Sequence, residues 1–287
     1  MKISAHTKLF ALLGDPVSHS LSPALHNTWI EALGLDAVYA ALRIAEDGAD
    51  LAFESLSAYG LKGANVTVPH KERAAKAAAG RLDPAAAALN AVNVLVWDKG
   101  GLAGYNTDAP GLVAALDESG AGWRSKTGTA LVIGAGGASR AAALGLSQAG
   151  VQRILVANRT FERAQKMCET IPRTQAFAWE KMGDLFESAD LIIQGTSAGM
   201  KGQASPDWPI ARAPSHAIVM DAVYAPLETP LLAAARARGL IALDGLGMLL
   251  HQAALAFEIW HGVAPDLALG RMAMLEGLSA REAEQKT

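Results

Sequence analysis

Residues 129–139 read TALVIGAGGAS, and this stretch decides the fold of the chain. Its first five residues form a short apolar run typical of a buried parallel strand, and a glycine-rich turn follows directly. Glycine at the first turn position, Gly134, permits a tight turn, and Gly136 leaves room for a phosphate group against the backbone. The next helix directs its free N–H groups and positive dipole end at that phosphate. Ser139 replaces the third glycine of the usual pattern and is small enough for close packing of the helix.

A second predicted strand, Ile154–Ala157, follows at the distance expected for a βαβ unit. At the end of that strand an NAD-binding protein usually has a carboxylate for the ribose hydroxyls. A carboxylate would repel a 2′-phosphate, whereas a guanidinium binds one with two hydrogen bonds. This chain has arginines there, which predicts NADP(H) rather than NAD(H); solvated surface charges are the alternative. The predicted cofactor contacts of this region are Gly134, Ala135, Gly136, Gly137, Ala138, Asn158, Arg159, Thr160 and Arg163.

The composition limits the classes of protein to which the chain can belong. Of its 287 residues, 51% are hydrophobic and 18% charged, and its net charge is -3. Such a chain can bury a sizeable core, and its charge argues against non-specific nucleic-acid binding, which requires concentrated lysine and arginine. The single cysteine, Cys168, excludes an internal disulfide and has no paired metal ligand nearby, so no metal is predicted.

No stretch approaches the roughly 20 apolar residues of a membrane span. The apolar run Leu9–Leu13 is too short for a signal peptide, and Asp15-Pro16 follows where a cleavage site would lie. We therefore interpret that run as the first buried strand of a cytoplasmic enzyme.

Short β-rich runs alternate with alanine-rich helical segments along the whole chain, which predicts an α/β fold with parallel sheet. Residues 111–243 form a predicted Rossmann-like NADP-binding domain, bounded by the polar runs near Asp108 and Asp244. Residues 1–110 plus 244–287 are then predicted to pack into one substrate-binding domain, with a cleft between the two domains. The other predicted strands are Val38–Leu42, Gly63–Val68, Leu191–Gln194 and Ile218–Asp221, and the predicted helices include Lys71–Ala79 and Ser139–Ala149.

Polar residues outside the middle domain suggest a substrate site. Ser22 is predicted to be the N-cap of a helix that begins at Pro23, and Ser20 and Ser22 together suit a carboxylate. Lys71 falls in the first turn of a helix, the unfavourable end of the dipole for a cation, which indicates a functional role against the alternative of a solvated lysine. Asn93 is a candidate for orienting a hydroxyl. Asp108 is a candidate either for function or for capping a helix that begins at Pro110.

Six runs of the sequence together resemble the shikimate dehydrogenase family, in order and spacing, over essentially the whole chain. The resemblance implies an enzyme that reversibly reduces 3-dehydroshikimate to shikimate with NADPH, toward chorismate and the aromatic amino acids. It also implies a discontinuous substrate domain and a Rossmann-like NADP domain. The six runs are Gly14–Asn27, Gly63–Lys71, Asn106–Asp108, Gly134–Arg140, Asn158–Thr160 and Asp244–Gln252.

The resemblance also implies a role for each matching residue. Lys71 and Asp108 would be the catalytic acid–base pair. The residues implied to bind the substrate are Ser20 and Ser22 at the carboxylate, Thr67, Asn93 and Gln252 at the ring hydroxyls, and Tyr224 nearby. Gly245 and Met248 would lie against the nicotinamide, with core packing as the alternative for Met248.

Three positions depart from the family pattern, and they leave alternatives open. His70 precedes the lysine where a large aromatic group is usual, and we expect it at the rim of the site. Asn90 stands where glycine is common, and Ala109 interrupts the glycine after Asn-Thr-Asp. These differences leave room for a quinate or quinate/shikimate dehydrogenase, and a non-catalytic NADP(H)-sensing regulator is a further alternative. The sequence is compatible with a monomer or a homodimer.

Overall fold

A computed structural model describes residues 3–284 and divides the chain into two compact units. The first unit comprises Met1–Thr107 and Gln252–Thr287, and the second comprises Asp108–His251. These units begin and end near the domain boundaries that the sequence suggests. The assignment of substrate to one part and cofactor to the other stays a prediction at this stage.

The first unit contains a five-stranded mixed sheet with the strand order β2-β1-β3-β4-β5. The central strand β1 is parallel to both of its neighbours, and β4 and β5 are antiparallel. Its strands are β1 (Lys8–Gly14), β2 (Ala37–Arg43), β3 (Leu61–Val66), β4 (Val94–Asp98) and β5 (Gly101–Tyr105). The first three lie at the predicted positions, whereas the β4–β5 hairpin was not predicted from the sequence.

The second unit contains a six-stranded, entirely parallel sheet with the order β8-β7-β6-β9-β10-β11. Its strands are β6 (Thr129–Ile133), β7 (Arg153–Ala157), β8 (Thr174–Phe177), β9 (Leu191–Gln194), β10 (Ile218–Asp221) and β11 (Ile241–Leu243). The first strand in the chain is central, and the order reverses between β6 and β9, as in doubly wound nucleotide-binding folds. Ligands of such folds bind at the carboxyl ends of the strands beside this reversal.

The helices connect and cover the strands, and their sequences explain several of their starts. Asp83 and Thr229 are N-caps whose side chains accept the N–H groups of Ala86 and Leu232, and a proline follows each cap. The helices are α1 (Ser22–Ala32), α2 (Ala49–Ser55), α3 (Lys71–Ala77), α4 (Pro84–Leu89), α5 (Asp108–Glu118), α6 (Trp123–Lys126), α7 (Gly137–Gln148), α8 (Phe161–Cys168), α9 (Met182–Ser188), α10 (Pro230–Ala237), α11 (Leu246–His261) and α12 (Leu267–Glu284).

Two predicted helix starts that rested on a proline were wrong by one or two residues. Helix α1 begins at Ser22 itself, with Leu21 as its N-cap, so Ser22 is not the capping residue. Helix α5 begins at Asp108 rather than at Pro110. Both shifts have the same cause, because proline is tolerated throughout the first turn of a helix and marks that turn without marking its first residue.

An aromatic cluster forms part of the core of the first unit. The ring of His26 is stacked on Tyr39 with their centroids 4.3 Å apart, and Trp29 meets it edge-on at 5.6 Å. Neither ring nitrogen of His26 has a hydrogen-bond partner within the described part of the chain. Burial, together with the nearby His261, lowers the pKa of His26 to about 3, so the ring is neutral at pH 7. Among residues 3–284, no helix is long and apolar enough to cross a membrane.

Candidate active site

The serine loop between β1 and α1 is held by hydrogen bonds on two sides. The Ser20 hydroxyl oxygen accepts the backbone N–H of Ser22 at 3.1 Å, which satisfies one free amide of α1. The guanidinium of Arg281 donates to the carbonyl oxygens of His19 at 2.7 Å and Ser20 at 2.6 Å. Ser22 is buried and Ser20 is half-buried. Ser20 and Ser22 are therefore tied to each other at the start of α1, and Arg281 fixes the backbone that precedes them.

Backbone hydrogen bonds between the carboxyl ends of β1 and β3 hold this loop next to Thr67. The Thr67 N–H donates to Leu13 O at 2.9 Å, and Asp15 N–H donates to Val68 O at 3.0 Å. A Cβ atom at Gly14 would lie only 2.3 Å from the Thr67 methyl group, so glycine is required there for close approach. Thr67 is half-buried at this edge of the sheet. The structure thus brings Thr67 beside the loop that carries the two serines.

Lys71 is the first residue of α3, as predicted, and its side chain is half-buried. Its carbonyl oxygen accepts Val92 N–H at 2.9 Å, which ties the start of α3 to the turn that carries Asn93. His70, expected at the rim, is instead fully buried. Its Nε2 lies 2.7 Å from Ile44 O, and this contact implies a proton on Nε2. The prediction failed because the segment after β2 covers the ring, a tertiary contact invisible in the local sequence.

Asn93 lies at the centre of a hydrogen-bonded group of side chains that we call the amide cluster, which consists of the buried Asn93 and Thr107 and the half-buried Gln252. The Asn93 Nδ2 donates to Thr107 Oγ1 at 2.9 Å and to Gln252 Oε1 at 3.2 Å. Its Oδ1 accepts Thr107 N–H at 2.8 Å, and Thr107 Oγ1 donates to Gln252 O at 2.9 Å. The structure therefore unites Asn93 and Gln252, which are far apart in the chain, as neighbours with fixed orientations.

Two further residues of this site, Tyr39 and Asn65, were missed from the sequence. The Tyr39 hydroxyl donates to Asn65 Oδ1 at 2.7 Å, and the Ser22 side chain lies next to it. Asn65 Nδ2 in turn donates to Asn93 O at 3.2 Å. Burial raises the pKa of Tyr39 well above its ordinary value, so the phenol keeps its proton. In the sequence, Tyr39 is one aromatic residue in a strand, and nothing local marks its hydroxyl.

Asp108 and Tyr224 belong to the second unit. Asp108 is buried in the first turn of α5, where the free N–H groups and the helix dipole favour a carboxylate. Asp221 accepts hydrogen bonds from Gln194 at 3.1 Å, Val223 N–H at 3.0 Å and Thr229 at 2.7 Å. These bonds fix the loop after β10 that carries the half-buried Tyr224. Burial raises the pKa of Asp221, and the three donors oppose that rise.

Gly245 and Met248 pack near the same loop of the second unit. A Cβ at Gly245 would lie 2.2 Å from Ala222 O, so only glycine permits this approach. Met248 is buried, 8% exposed. These contacts explain Gly245 by packing, and for both residues a contact with nicotinamide stays a prediction.

The glycine-rich turn contains one glycine that packing requires and two that packing does not. Gly134 has a φ of +107°, and a Cβ there would lie 2.5 Å from Ser139 Oγ. The buried Ser139 hydroxyl donates to Ile133 O at 3.1 Å, which closes the turn. By contrast, a Cβ at Gly136 or Gly137 would have no atom within 4 Å. The backbone amides at the start of α7 are therefore accessible to an anion, flanked by the half-buried Ala135 and Ala138.

The carboxyl end of β7 presents exposed cationic and polar groups. Asn158 Nδ2 donates to Thr160 O at 2.8 Å, which fixes the turn before α8. Arg159 is exposed, with its guanidinium carbon 6.0 Å from the centroid of Trp179, and Arg163 is exposed in the first turn of α8. The residues of this unit fit a dinucleotide with a phosphorylated ribose, since open amides suit the pyrophosphate and guanidinium groups suit the extra phosphate.

A doubly wound parallel sheet with an open glycine turn in one unit, together with fixed hydrogen-bonding side chains in the other, defines the class of two-unit dinucleotide-binding proteins. Three family models match the chain: the shikimate dehydrogenase substrate binding domain over residues 12–95, shikimate / quinate 5-dehydrogenase over 117–201, and the shikimate 5′-dehydrogenase C-terminal domain over 245–275. The chain belongs to the shikimate dehydrogenase family.

Among curated relatives, the shikimate dehydrogenase (NADP(+)) of Nitrobacter hamburgensis is 46% identical over 266 residues, covering 92% of each chain. That of Methylobacterium radiotolerans is 46% identical over 267 residues, 92% of this chain and 94% of the relative. Among solved structures, Thermus thermophilus shikimate 5-dehydrogenase in complex with NADP(H) and shikimate has a TM-score of 0.84 and 35% identity, covering 94% and 99% of the two chains. Quinate dehydrogenase from Corynebacterium glutamicum in complex with NAD has a TM-score of 0.87 and 28% identity, with the same coverage.

Proposed function

We propose that the protein is an enzyme that catalyses the NADP-dependent, reversible reduction of 3-dehydroshikimate to shikimate, toward chorismate and aromatic amino acids. The observation that carries the proposal is the presence of two kinds of site in one chain. One unit has an open glycine turn and exposed arginines, and the other has the serine loop and the amide cluster. Curated relatives named shikimate dehydrogenase (NADP(+)) at 42–46% identity support it. The first unit would then bind the substrate, and the second NADP(H).

The polar groups of the first unit suit the substrate chemically. A hydroaromatic acid offers a carboxylate at one end of its ring and hydroxyl groups toward the other. In this proposal Ser20 and Ser22 bind the carboxylate, while Thr67, Asn93 and Gln252 bind the hydroxyls. Tyr224 is proposed to contact the substrate as well. Buried amides that are already hydrogen-bonded keep one orientation, and a fixed orientation distinguishes hydroxyl positions on a ring.

Catalysis in this proposal requires a hydride, which the bound cofactor supplies to the ring carbonyl carbon, and a proton. The Lys71 ammonium stabilises the negative charge that develops on the carbonyl oxygen and transfers its proton to that oxygen. In this proposal Asp108 is the partner of Lys71 in the acid–base step. In the oxidative direction, neutral Lys71 accepts the hydroxyl proton. Gly245 and Met248 would contact the nicotinamide.

Outside the site, the proposal requires only small-molecule partners. The net charge of -3 argues against non-specific nucleic-acid binding. We also propose that the protein is cytoplasmic and that it is a monomer or a homodimer.

Steady-state kinetics with shikimate and quinate, each with NADP and NAD, test the proposed function. We expect the highest kcat/KM for shikimate with NADP. Quinate carries an additional hydroxyl at the carbon that bears the carboxylate, so the space around Ser20, Ser22 and Thr67 decides between the two substrates. A higher kcat/KM for quinate would replace the proposed substrate, and NADPH binding without turnover of 3-dehydroshikimate would indicate a regulator.

The substitution Arg159→Ala tests the preference for NADP over NAD. Because the guanidinium binds a group that only NADP carries, we expect the KM for NADP to rise roughly tenfold, with little change for NAD. Arg153→Ala is the matched control, since Arg153 is exposed at the opposite end of the same strand. Equal changes in both KM values, or none, would remove the proposed role of Arg159.

A further inference from the structure

The position of Tyr39 in strand β2 places its hydroxyl between two polar parts of the first unit. The side chain is 2% exposed, and its hydroxyl donates to Asn65 Oδ1 at 2.7 Å and lies next to the Ser22 side chain. Buried phenols normally acquire a hydrogen-bond partner, but one would suffice. Here the hydroxyl donates to Asn65 of strand β3 and also lies next to Ser22, the first residue of α1.

The bridge continues without a break into the amide cluster. Asn65 Nδ2 donates to Asn93 O at 3.2 Å, and the Asn93 side chain binds both Thr107 and Gln252. A continuous hydrogen-bonded chain therefore runs from Tyr39 through Asn65 to the amide cluster, and Ser22 lies next to its first member. It joins residues assigned to the carboxylate end of the substrate with residues assigned to the hydroxyl end.

The Tyr39 ring and backbone are also fixed, so the hydroxyl has little freedom. The ring stacks on His26 at an interplanar angle of 6°. Asn27 pins the strand backbone, since its Oδ1 accepts Tyr39 N–H at 2.9 Å and its Nδ2 donates to Tyr39 O at 2.8 Å. Asn27 and Ser22 both lie in α1, so backbone and side chain of Tyr39 are tied to the helix that carries the proposed carboxylate ligand.

We propose that Tyr39 is a positioning residue for substrate binding: its hydroxyl orients Ser22 and, through Asn65, the amide cluster, so that the two ends of the substrate are recognised as one unit. This inference rests on the proposed function. It assigns to Tyr39 no contact with the reacting atoms. Its effect is therefore on the binding of shikimate, and not on hydride or proton transfer.

Tyr39→Phe is the direct test because it removes one oxygen atom and keeps the ring stacked on His26. We expect the KM for shikimate to rise about tenfold, with kcat and the KM for NADP within about threefold of wild type. Trp29→Phe is the control for a general loosening of the core. It removes a hydrogen bond of 2.7 Å, from Trp29 Nε1 to Asp266 O, in the same aromatic cluster but outside the chain to Asn93.

Three outcomes of that comparison would overturn the inference. One is an unchanged KM for shikimate. Another is an equal rise in Trp29→Phe. The third is a lower KM in Tyr39→Phe, which would mean that Tyr39 competes with the carboxylate for the proton of Ser22.

A double-mutant cycle tests the linkage itself and does not depend on how well Tyr39→Phe folds. In the wild-type background we expect Ser22→Ala and Gln252→Ala to change the KM for shikimate non-additively, by a factor of roughly three or more, although the two residues are not bonded directly. Additive effects in that background overturn the inference. In the Tyr39→Phe background the effects should become additive, and persistent coupling there would assign the linkage to another route.

Wild-type kinetics separate failure of this inference from failure of the proposed function. A wild-type enzyme that does not oxidise shikimate with NADP overturns both. Normal wild-type turnover with an unaltered KM in Tyr39→Phe overturns only the role of Tyr39.

Discussion

The carboxyl edges of the two sheets differ in what they offer to a ligand. In the first unit, that edge consists of side chains that hydrogen-bond one another, with Asn93 held by three bonds. In the second unit, the edge consists of backbone, with an open turn at Gly136 and Gly137. A ring with hydroxyls at distinct positions requires directional donors and acceptors in fixed places, whereas a pyrophosphate spreads its charge over several oxygens and binds to a row of amides.

The two edges also differ in what they cost the folded state. Buried amides are costly unless every polar atom has a partner, and the first unit meets this demand with its hydrogen-bonded chain. The open turn costs backbone entropy and requires the positive φ at Gly134. Substitutions at the first edge should therefore disturb substrate binding or chemistry, and those at the second should disturb cofactor binding.

The largest effect is expected from Lys71→Ala. Loss of the proton donor should lower kcat by about 10²–10⁴-fold, the usual contribution of general acid–base catalysis, with little change in the KM for NADP. Lys76→Ala is the matched control, because Lys76 is exposed in the last turn of the same short helix. Near-normal turnover by Lys71→Ala, together with inactivity of Ser20→Ala, would show that the proton comes from elsewhere.

Acid should destabilise the fold through the aromatic core of the first unit. Burial lowers the pKa of His26 to about 3, and burial with the charge of Lys8 lowers the pKa of His261 to about 4, from an ordinary 6.5. Between these values the unfolded chain binds protons that the folded chain does not, so the free energy of unfolding falls as the pH drops below 6.5. The slope from one such histidine is about 1.4 kcal/mol per pH unit.

Urea titrations at pH 7 and pH 4.5 measure this dependence, and His26→Phe is the control. The variant keeps an aromatic ring in the stack and removes the titration, so its loss of stability between the two pH values should be smaller than that of wild type. An identical loss in the two proteins would mean that other groups cause the acid destabilisation.

Gly136→Ala should weaken cofactor binding without harming the fold. The φ of Gly136 is -82°, which alanine adopts freely, and a Cβ there meets no atom within 4 Å. The methyl group would occupy the space predicted for the pyrophosphate, so we expect the KM for NADP to rise roughly tenfold at unchanged thermal stability. Gly48→Ala, also at an open position with a φ of -93°, should leave both quantities as they are. A stable Gly136→Ala protein with a normal KM would remove the pyrophosphate from this turn.

The smallest effect concerns Asn90, which ends α4 in the left-handed region at φ 47° and ψ 43°. Glycine and asparagine are the residues that adopt this conformation at low cost, which explains the substitution of one for the other. We expect Asn90→Ala to lower the free energy of unfolding by about 1 kcal/mol, with kcat unchanged, and Asn90→Gly to have almost no effect. Equal stabilities of the two variants in denaturant titrations would contradict this account.

Much of the architecture was predictable because it depends on local patterns. Apolar runs mark the central strands, since parallel strands buried on both faces must be apolar along their length. The TALVIGAGGAS stretch identifies β6, its turn and α7, since the turn conformation and the helix start depend on neighbouring residues. The cofactor class followed from the absence of a carboxylate at Asn158–Thr160, and the names of the curated relatives agree with it.

Other features depended on contacts between distant segments and were missed or misplaced. His70 has the local surroundings of an exposed first-turn residue, yet Ile44 accepts its hydrogen bond and the chain covers it. Tyr39, Asn65 and Arg281 carry no local signature of their roles, because each acts through a partner elsewhere in the first unit. Position along the chain cannot reveal such partners.

By itself, the sequence determined most of the parallel strands, the glycine turn and the types of chemical groups that the candidate site contains. Hydrophobic periodicity and backbone conformation depend on near neighbours in the chain, and they can be derived from the residues one after another. Only the tertiary structure decided which polar groups became buried and which of them bonded to each other. That choice depends on the free energy of removing polar atoms from water, and this free energy is set by whichever distant segment supplies the matching donor or acceptor.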